Sequence, residues 1–230
     1  MTTYAFGDIH GCLEPLQALV RRCLQEVAGS SATFVFLGDY IDRGPDSKGV
    51  VEFLMDLQQR ESRLHVVCLA GNHEIMAVAV AKGLLRKTNW MSFGGAATLH
   101  SYGVGQASKI PASHLAWMTS LPLRFDDGLR LFVHAGIFPG RRIDQQDAED
   151  LIGIREPFLS STIDHGRFIV HGHTPTHNRL PELKGNRLNL DTGAVFGGPL
   201  TAAVFTGSRA EPSRFLSEPS RVVSAIDTDI

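Results

Sequence analysis

Short β-prone runs alternate with stretches in which apolar residues recur at helical spacing. Thr3 to Phe6 and Ala32 to Leu37 are uninterrupted enough to be buried strands, and each runs into Gly-Asp. Between them Leu13, Leu16, Leu19, Val20, Cys23, Leu24 and Val27 fall on one helical face, with Pro15 in the first turn and Gly29 as a stop. The same spacing of Val50, Val51, Leu54 and Leu57 predicts a second helix from about Ser47 to Gln59, and Leu64 to Ala70 predicts a third strand. This β-α-β-α-β order implies parallel strands joined by right-handed crossovers.

Residues 84 to 120 carry a weaker pattern, with Trp90, Gly94-Gly95, Tyr102 and Pro111 suggesting only short helices and loops. Leu121 to Phe125 and Leu129 to Val133, separated by Asp126-Asp127-Gly128, predict a β-hairpin. Arg167 to Val170, Arg187 to Leu190 and Leu200 to Phe205 supply three more strands, so the second half is β-rich. The expected fold class is α/β, with two packed mixed sheets flanked by helices. One domain is expected over 1–207. From Ser208 to Ile230 the chain turns polar without a period, which predicts a loosely held tail over 208–230.

Composition narrows the function. With 22 Lys+Arg against 24 Asp+Glu and a formal charge of −2, the chain has no basic surplus with which to hold nucleic acid or an anionic membrane. Its longest apolar runs, Ala32 to Leu37 and Ile75 to Ala81, fall far short of the roughly 18 to 20 residues that span a bilayer. The N-terminus shows neither a basic segment nor an apolar core of a secretory signal, so a cytoplasmic location is expected. Cys12, Cys23 and Cys68 are odd in number and widely spaced, and they read as small hydrophobes rather than disulfides or a thiolate metal site.

The chemistry is concentrated where strands end. Gly7-Asp8-Ile9-His10-Gly11, Gly38-Asp39-Tyr40-Ile41-Asp42-Arg43-Gly44, Gly71-Asn72-His73-Glu74, Val133-His134-Ala135-Gly136 and Val170-His171-Gly172-His173-Thr174 each follow or close a predicted strand. In an open α/β sheet ligands bind beyond the carboxyl ends of the strands, so these residues converge there. Any one of them alone would be a cap, a turn residue or a satisfied core histidine; together they make a site. Other phosphate chemistries fail on spacing. None of the three cysteines is followed by an arginine six residues on, and Gly44 to Gly49 is followed by Val50-Val51 where a P-loop needs Lys and Ser/Thr.

These strings, in this order, resemble the PPP group of calcineurin-like metallophosphoesterases, over about Tyr4 to Phe205. Within the group the chain looks closest to the compact bacterial and phage lambda-type Ser/Thr protein phosphatases, through Ile154-Arg155-Glu156 and Asp191-Thr192-Gly193-Ala194-Val195-Phe196. The resemblance implies a four-layer α/β/β/α fold and two divalent metal ions, Mn2+ foremost, with Fe, Zn2+ or Ni2+ as alternatives. By similarity Asp8, His10 and Asp39 would hold one ion and Asp39, Asn72, His134 and His173 the other. The donors are all N or O, which suits such ions.

The implied reaction is in-line attack on phosphorus by a hydroxide bridging the two metals, with no phosphoenzyme. His73 would be the general acid, oriented by Asp42, while Arg43 and Arg155, with Asn72 and His73, would bind the phosphoryl oxygens. His171 and Glu74 are expected in supporting roles. The expected substrate is phosphoserine or phosphothreonine in a phosphoprotein or phosphopeptide; the alternative is a dinucleoside polyphosphate, cleaved as by a symmetrical diadenosine tetraphosphate hydrolase.

Overall fold

The structure is a computed structural model that describes residues 1–220 except Ala28 and Ser62. Its first half follows the predicted order: β1 (Thr2–Phe6), α1 (Leu13–Val27), β2 (Ala32–Phe36), α2 (Ser47–Arg60) and β3 (Leu64–Cys68). β1, β2 and β3 pair in parallel. Then come α3 (Asn72–Ala81), α4 (Lys87–Met91), α5 (Gly95–Tyr102) and α6 (Ala112–Ser120), which resolve the poorly patterned 84 to 120 stretch into short helices. The second half holds β4 (Arg124–Asp126), β5 (Arg130–Val133), α7 (Ala148–Gly153), β6 (Phe168–His171), β7 (Glu182–Leu183), β8 (Arg187–Asn189), β9 (Pro199–Phe205) and β10 (Arg214–Pro219).

Two five-stranded sheets result, ordered β10-β9-β1-β2-β3 and β4-β5-β6-β8-β7. Both are mixed: β9 runs antiparallel to β1, and β4 and β7 are antiparallel edges on the parallel β5-β6-β8 core. The period of two along each strand sorts side chains between layers. On the first sheet Tyr4, Phe6, Phe34, Phe36, Ala202 and Val204 pack under α1 and α2, in the cluster that also holds Leu16, Leu19, Val50 and Leu54. The intervening Ala5, Val35, Leu37, Ala203 and Phe205 face the other sheet and meet Phe132, Phe168, Val170, Leu188 and Leu190. The outer face of the second sheet, through Leu131, Val133 and Ile169, packs on Leu151 and Ile154 of the α7 segment and on Phe158. Helix, sheet, sheet and helix thus make four layers.

The tail is where the structure departs from the sequence pattern. Arg214–Pro219 is a strand, antiparallel to β9 from Arg214↔Val204 to Pro219↔Pro199. Only Leu216 of this strand is buried, and its Arg, Ser, Glu and Pro give it the polar composition that protects sheet edges. The expectation of a loose tail therefore fails for these residues, and 221–230 lie outside the described residues. The hairpin is also shorter than expected, since β4 starts at Arg124 rather than Leu121.

Candidate active site

The loops after β1, β2, β3, β5 and β6 meet at one end of the sheets, as their sequence positions required. Five of the residues expected at the site have left-handed backbone: His10 (φ 45°), Asp39 (φ 53°), Asp42 (φ 72°), Arg43 (φ 68°) and His173 (φ 67°). Non-glycine residues pay a steric penalty there, so their concentration at one locus marks loops shaped by function rather than by local preference. The glycines beside them serve close approach. A Cβ on Gly71 would stand 2.1 Å from Asp39 Oδ1, and one on Gly172 would stand 2.0 Å from Asp8 Oδ1.

One part of the site is a ring of lone pairs. His134 Nε2 lies 3.1 Å from Asn72 Oδ1 and 3.2 Å from His173 Nδ1; His173 Nδ1 lies 3.0 Å from Asn72 Oδ1. Asp39 Oδ2 is 3.4 Å from His134 Nε2 and 3.5 Å from His10 Nε2. The second nitrogens of two of these rings are committed to backbone carbonyls: His134 Nδ1 to Leu37 at 2.9 Å and His10 Nδ1 to Ile41 at 2.8 Å. Those Nδ1 atoms carry protons, which turns each Nε2 toward the Asp39 carboxylate. Two donors each about 2.1 Å from one ion at 90° to 109° are roughly 3.0 to 3.4 Å apart, which is the spacing found here. The donor set therefore fits divalent cations, with Asp39 common to two triads, His10, Asp39 and His73, and Asp39, His134 and His173; the first keeps only His10 and Asp39 as donors when His73 Nε2 carries a proton.

Asp8 stands one step back in this structure. Both of its carboxylate oxygens accept from the His173 backbone N–H, at 3.2 and 3.1 Å. Arg43 Nη1 is 2.7 Å from His10 Nε2, so its guanidinium must leave that nitrogen before His10 can hold a cation.

The electrostatics record the same demand for positive charge. Burial opposes a proton on His134, yet the carboxylates of Asp39, Asp8 and Glu74 push its pKa up to about 10. Burial, then Asp191, raises Asp8 well above the carboxylate range. Burial, then Asp39, raises Glu74 to about 7, and burial raises Asp191 to about 6. His10 and His173 are pushed down to about 3, chiefly by burial, and so present neutral rings with lone pairs. The charge of the exposed Arg155 contributes to the downward shift of His173.

The other part is complete by itself. His73 Nδ1 donates to Asp42 Oδ2 at 2.6 Å. Asp42 also accepts from Trp90 Nε1 at 2.7 Å and from Thr98 Oγ1 at 2.5 Å, and its own N–H donates to Ser47 and Thr98. His73 Nε2 is left facing the donor ring, 3.8 Å from Asp39 Oδ2. Burial would lower the His73 pKa, but Asp39 and Asp42 outweigh it and raise it, as an acid requires. Trp90 and Thr98 come from α4 and α5, and the sequence reading singled out neither for a role at the site; Thr98 has no local signal at all. Glu74 takes the expected supporting role in an unexpected form. Its carboxylate accepts from the N–H groups of Asp39, Tyr40, Ile41 and Gly71 and so pins the strained 39–41 loop. His171 turns away from the donors and accepts from Arg187 at 3.1 Å.

Comparison with known proteins matches residues 1–205 to the family described as "Calcineurin-like phosphoesterase". The chain is 34% identical to the "Serine/threonine-protein phosphatase 1" of Salmonella typhimurium (strain LT2), over 87% of this chain and 90% of that protein. It is 28% identical to the "Bis(5'-nucleosyl)-tetraphosphatase PrpE [asymmetrical]" of Geobacillus sp. (strain WCH70), over 85% and 87% of the two. A solved chain bearing the provisional name diadenosine tetraphosphatase superposes with a TM-score of 0.70 at 25% identity, covering 95% of this chain and 93% of that one. With that match over most of its length, the two-sheet fold and the convergent His/Asp donors, the chain belongs to the calcineurin-like phosphoesterase family.

Proposed function

We propose that this chain is a metal-dependent phosphatase acting on phosphoserine and phosphothreonine in proteins. The observation that carries the reading is the His73–Asp42 pair, locked by Trp90 and Thr98, with the free ring nitrogen turned to the donor ring. A serine or threonine alkoxide is a poor leaving group and needs a proton as its bond to phosphorus breaks; a polyphosphate departs as a stabilised anion and needs one far less. Two divalent ions held by His10, Asp39, Asn72, His134 and His173, with Asp8 closing the site, would supply Lewis acidity and lower the pKa of water at neutral pH. His73 gives its Nε2 proton to the departing oxygen. Asp42 holds the ring in that tautomer and stabilises its charge before transfer. Arg43 and Arg155 orient the phosphoryl oxygens, a planar two-point contact suited to guanidinium. Mn2+ is the ion proposed.

The similarity to the Salmonella phosphatase, which extends over 90% of that protein's length, supports the same reading. A dinucleoside tetraphosphate is favoured by a different observation. Phe196 is 50% exposed beneath the Arg43 guanidinium, 5.5 Å from it, and Phe93 is 46% exposed with its ring 6.2 Å from that of His73. Such rings could stack a base.

Metal-stripped protein reloaded with Mn2+ and given a phosphothreonine peptide and diadenosine tetraphosphate side by side separates the two readings. Phosphate release from the peptide with little dinucleotide cleavage is expected. Cleavage of the dinucleotide alone overturns the protein-phosphatase reading and leaves the metal site standing.

A further inference from the structure

Charge is unevenly spread along this chain. Between Glu74 and Asp126 the sequence contains no Asp or Glu, yet it holds Lys82, Arg86, Lys87, Lys109 and Arg124. In the fold this stretch is nearly all of α3 with α4, α5 and α6, and it brings Trp90 and Thr98 to Asp42. Packed against α3 are α4, α6 and the Ala107–Lys109 turn, all parts of the same acid-free stretch, so these neighbours bring no carboxylate to the basic end of α3.

Three of these charges sit together where α3 turns into α4. The backbone of that turn is pinned: Gly83 (φ 73°) donates to Val80 O at 3.0 Å, and the N–H groups of Leu84 and Leu85 donate to Ala79 O at 2.8 and 3.3 Å. Lys82, Arg86 and Lys87 are exposed on it, and none of them joins an ion pair among the described residues. Lys87 Nζ meets the uncharged Gly105 carbonyl at 2.8 Å and keeps its charge unbalanced. Leu84, in the middle of the group, is 79% exposed. Like charges gathered on a fixed turn raise the local potential, which an anionic partner relieves.

We propose that the α3–α4 turn docks an acidic segment of the substrate polypeptide, an inference that rests on the phosphoprotein reading above. The 10 residues of α3 lead from the site to the turn, a path of about 15 Å at roughly 1.5 Å per residue. Lys87 opens α4 one helical turn before Trp90, whose indole donates to Asp42. An extended chain covers roughly 3.3 Å per residue, so the basic turn is reached about four to six residues away from a phosphothreonine held at the site. Leu84 favours a polypeptide over a nucleic acid as the anion. An acidic peptide brings apolar side chains to cover it, whereas a phosphate backbone offers charge alone.

The test takes the metal-loaded protein and two phosphothreonine peptides that differ only in carrying Glu or Gln at the fourth, fifth and sixth positions on both sides of the phosphothreonine. At low salt the Glu peptide should show a KM about five- to tenfold lower, the scale that three exposed charge pairs supply, with kcat within about twofold. In about 0.5 M NaCl the advantage should shrink below about twofold. A triple variant, Lys82→Gln with Arg86→Gln and Lys87→Gln, should raise the KM of the Glu peptide to that of the Gln peptide and leave nitrophenyl phosphate kinetics unchanged. Equal KM values in the wild type, an advantage that resists salt, or one that survives in the triple variant overturns the docking assignment while the phosphoprotein reading stands. A comparable loss on nitrophenyl phosphate in the triple variant also overturns it, since the turn would then serve the fold or the reaction site. Binding of a duplex oligonucleotide that the triple variant abolishes, with no preference between the peptides, reassigns the turn to nucleic acid. Cleavage of diadenosine tetraphosphate with neither peptide cleaved rejects the phosphoprotein reading and this partner with it.

Discussion

The two parts of the site are built on opposite principles. Around Asp42 every polar atom has its partner: His73, Trp90 and Thr98 on the carboxylate, Ser47 and Thr98 on the backbone N–H. Around Asp39 the arrangement is inverted, with His134 Nε2, His173 Nδ1, Asn72 Oδ1 and a carboxylate oxygen crowded within 3.0 to 3.4 Å. One region is a finished hydrogen-bond network that fixes a ring; the other is balanced only when a cation or a proton sits among its lone pairs. A half-satisfied polar cluster is unfavourable unless something is meant to fill it, and the difference separates a proton-handling device from an ion-holding one.

The largest expected effect tests the ion-holding region. Asp39→Asn removes the charge shared by both donor triads, and we expect activity on any phosphate ester to fall by about 10⁴-fold or more, with bound metal lost on elemental analysis. Retention of metal and most activity would show that Asp39 is not shared.

His73→Asn tests the other region. It should cost about 10²- to 10⁴-fold on an alkyl phosphate and much less on nitrophenyl phosphate, whose leaving group needs no proton. Equal losses on both substrates would remove the general-acid role.

Proton release sharpens the contrast between the two. With its folded pKa raised to about 10, His134 is protonated at pH 7 in the cation-free chain and must be neutral to hold an ion. Metal binding should therefore release at least one proton, from His134 and with the raised Asp8 adding to it, and affinity should climb as pH rises toward 10. Calorimetry in buffers of different ionisation enthalpy reads this directly; binding without proton release would contradict it. The His73–Asp42 proton should persist in metal-stripped protein as a downfield resonance, because its partners are all side chains of the fold.

Trp90→Phe has the smallest expected effect. It takes one donor from Asp42 and should lower kcat on alkyl phosphates about three- to tenfold, with KM and nitrophenyl phosphate hydrolysis nearly unchanged. A loss shared by both substrates would make Trp90 a packing residue rather than a positioning one.

Legibility tracked how local each determinant is. β1, α1, β2, α2 and β3 were readable because each buries a face whose period lies within a few residues, as Leu13 to Val27 does along α1. The donors were readable because each follows a strand within a few residues, and the strand fixes where it arrives. β10 was not readable, since an edge strand with one buried residue, Leu216, writes almost nothing into its sequence. β7, two residues long, is equally silent.

By itself, then, the sequence determined the β-α-β-α-β order, the β-rich second half and which side chains would gather at the strand ends, because period and position are local properties, while the four-layer scheme came from the resemblance those strings carry. It also determined the absence of a basic surplus and of runs long enough to span a membrane; no helix among the described residues is long and apolar enough to cross one. Tertiary structure alone decided which of the gathered groups face one another. Trp90 and Thr98 reach Asp42 across 48 and 56 residues of chain, and Asp8 turns to the His173 backbone across 165. Pairings at that separation depend on how whole layers pack, and no window along the chain contains both partners.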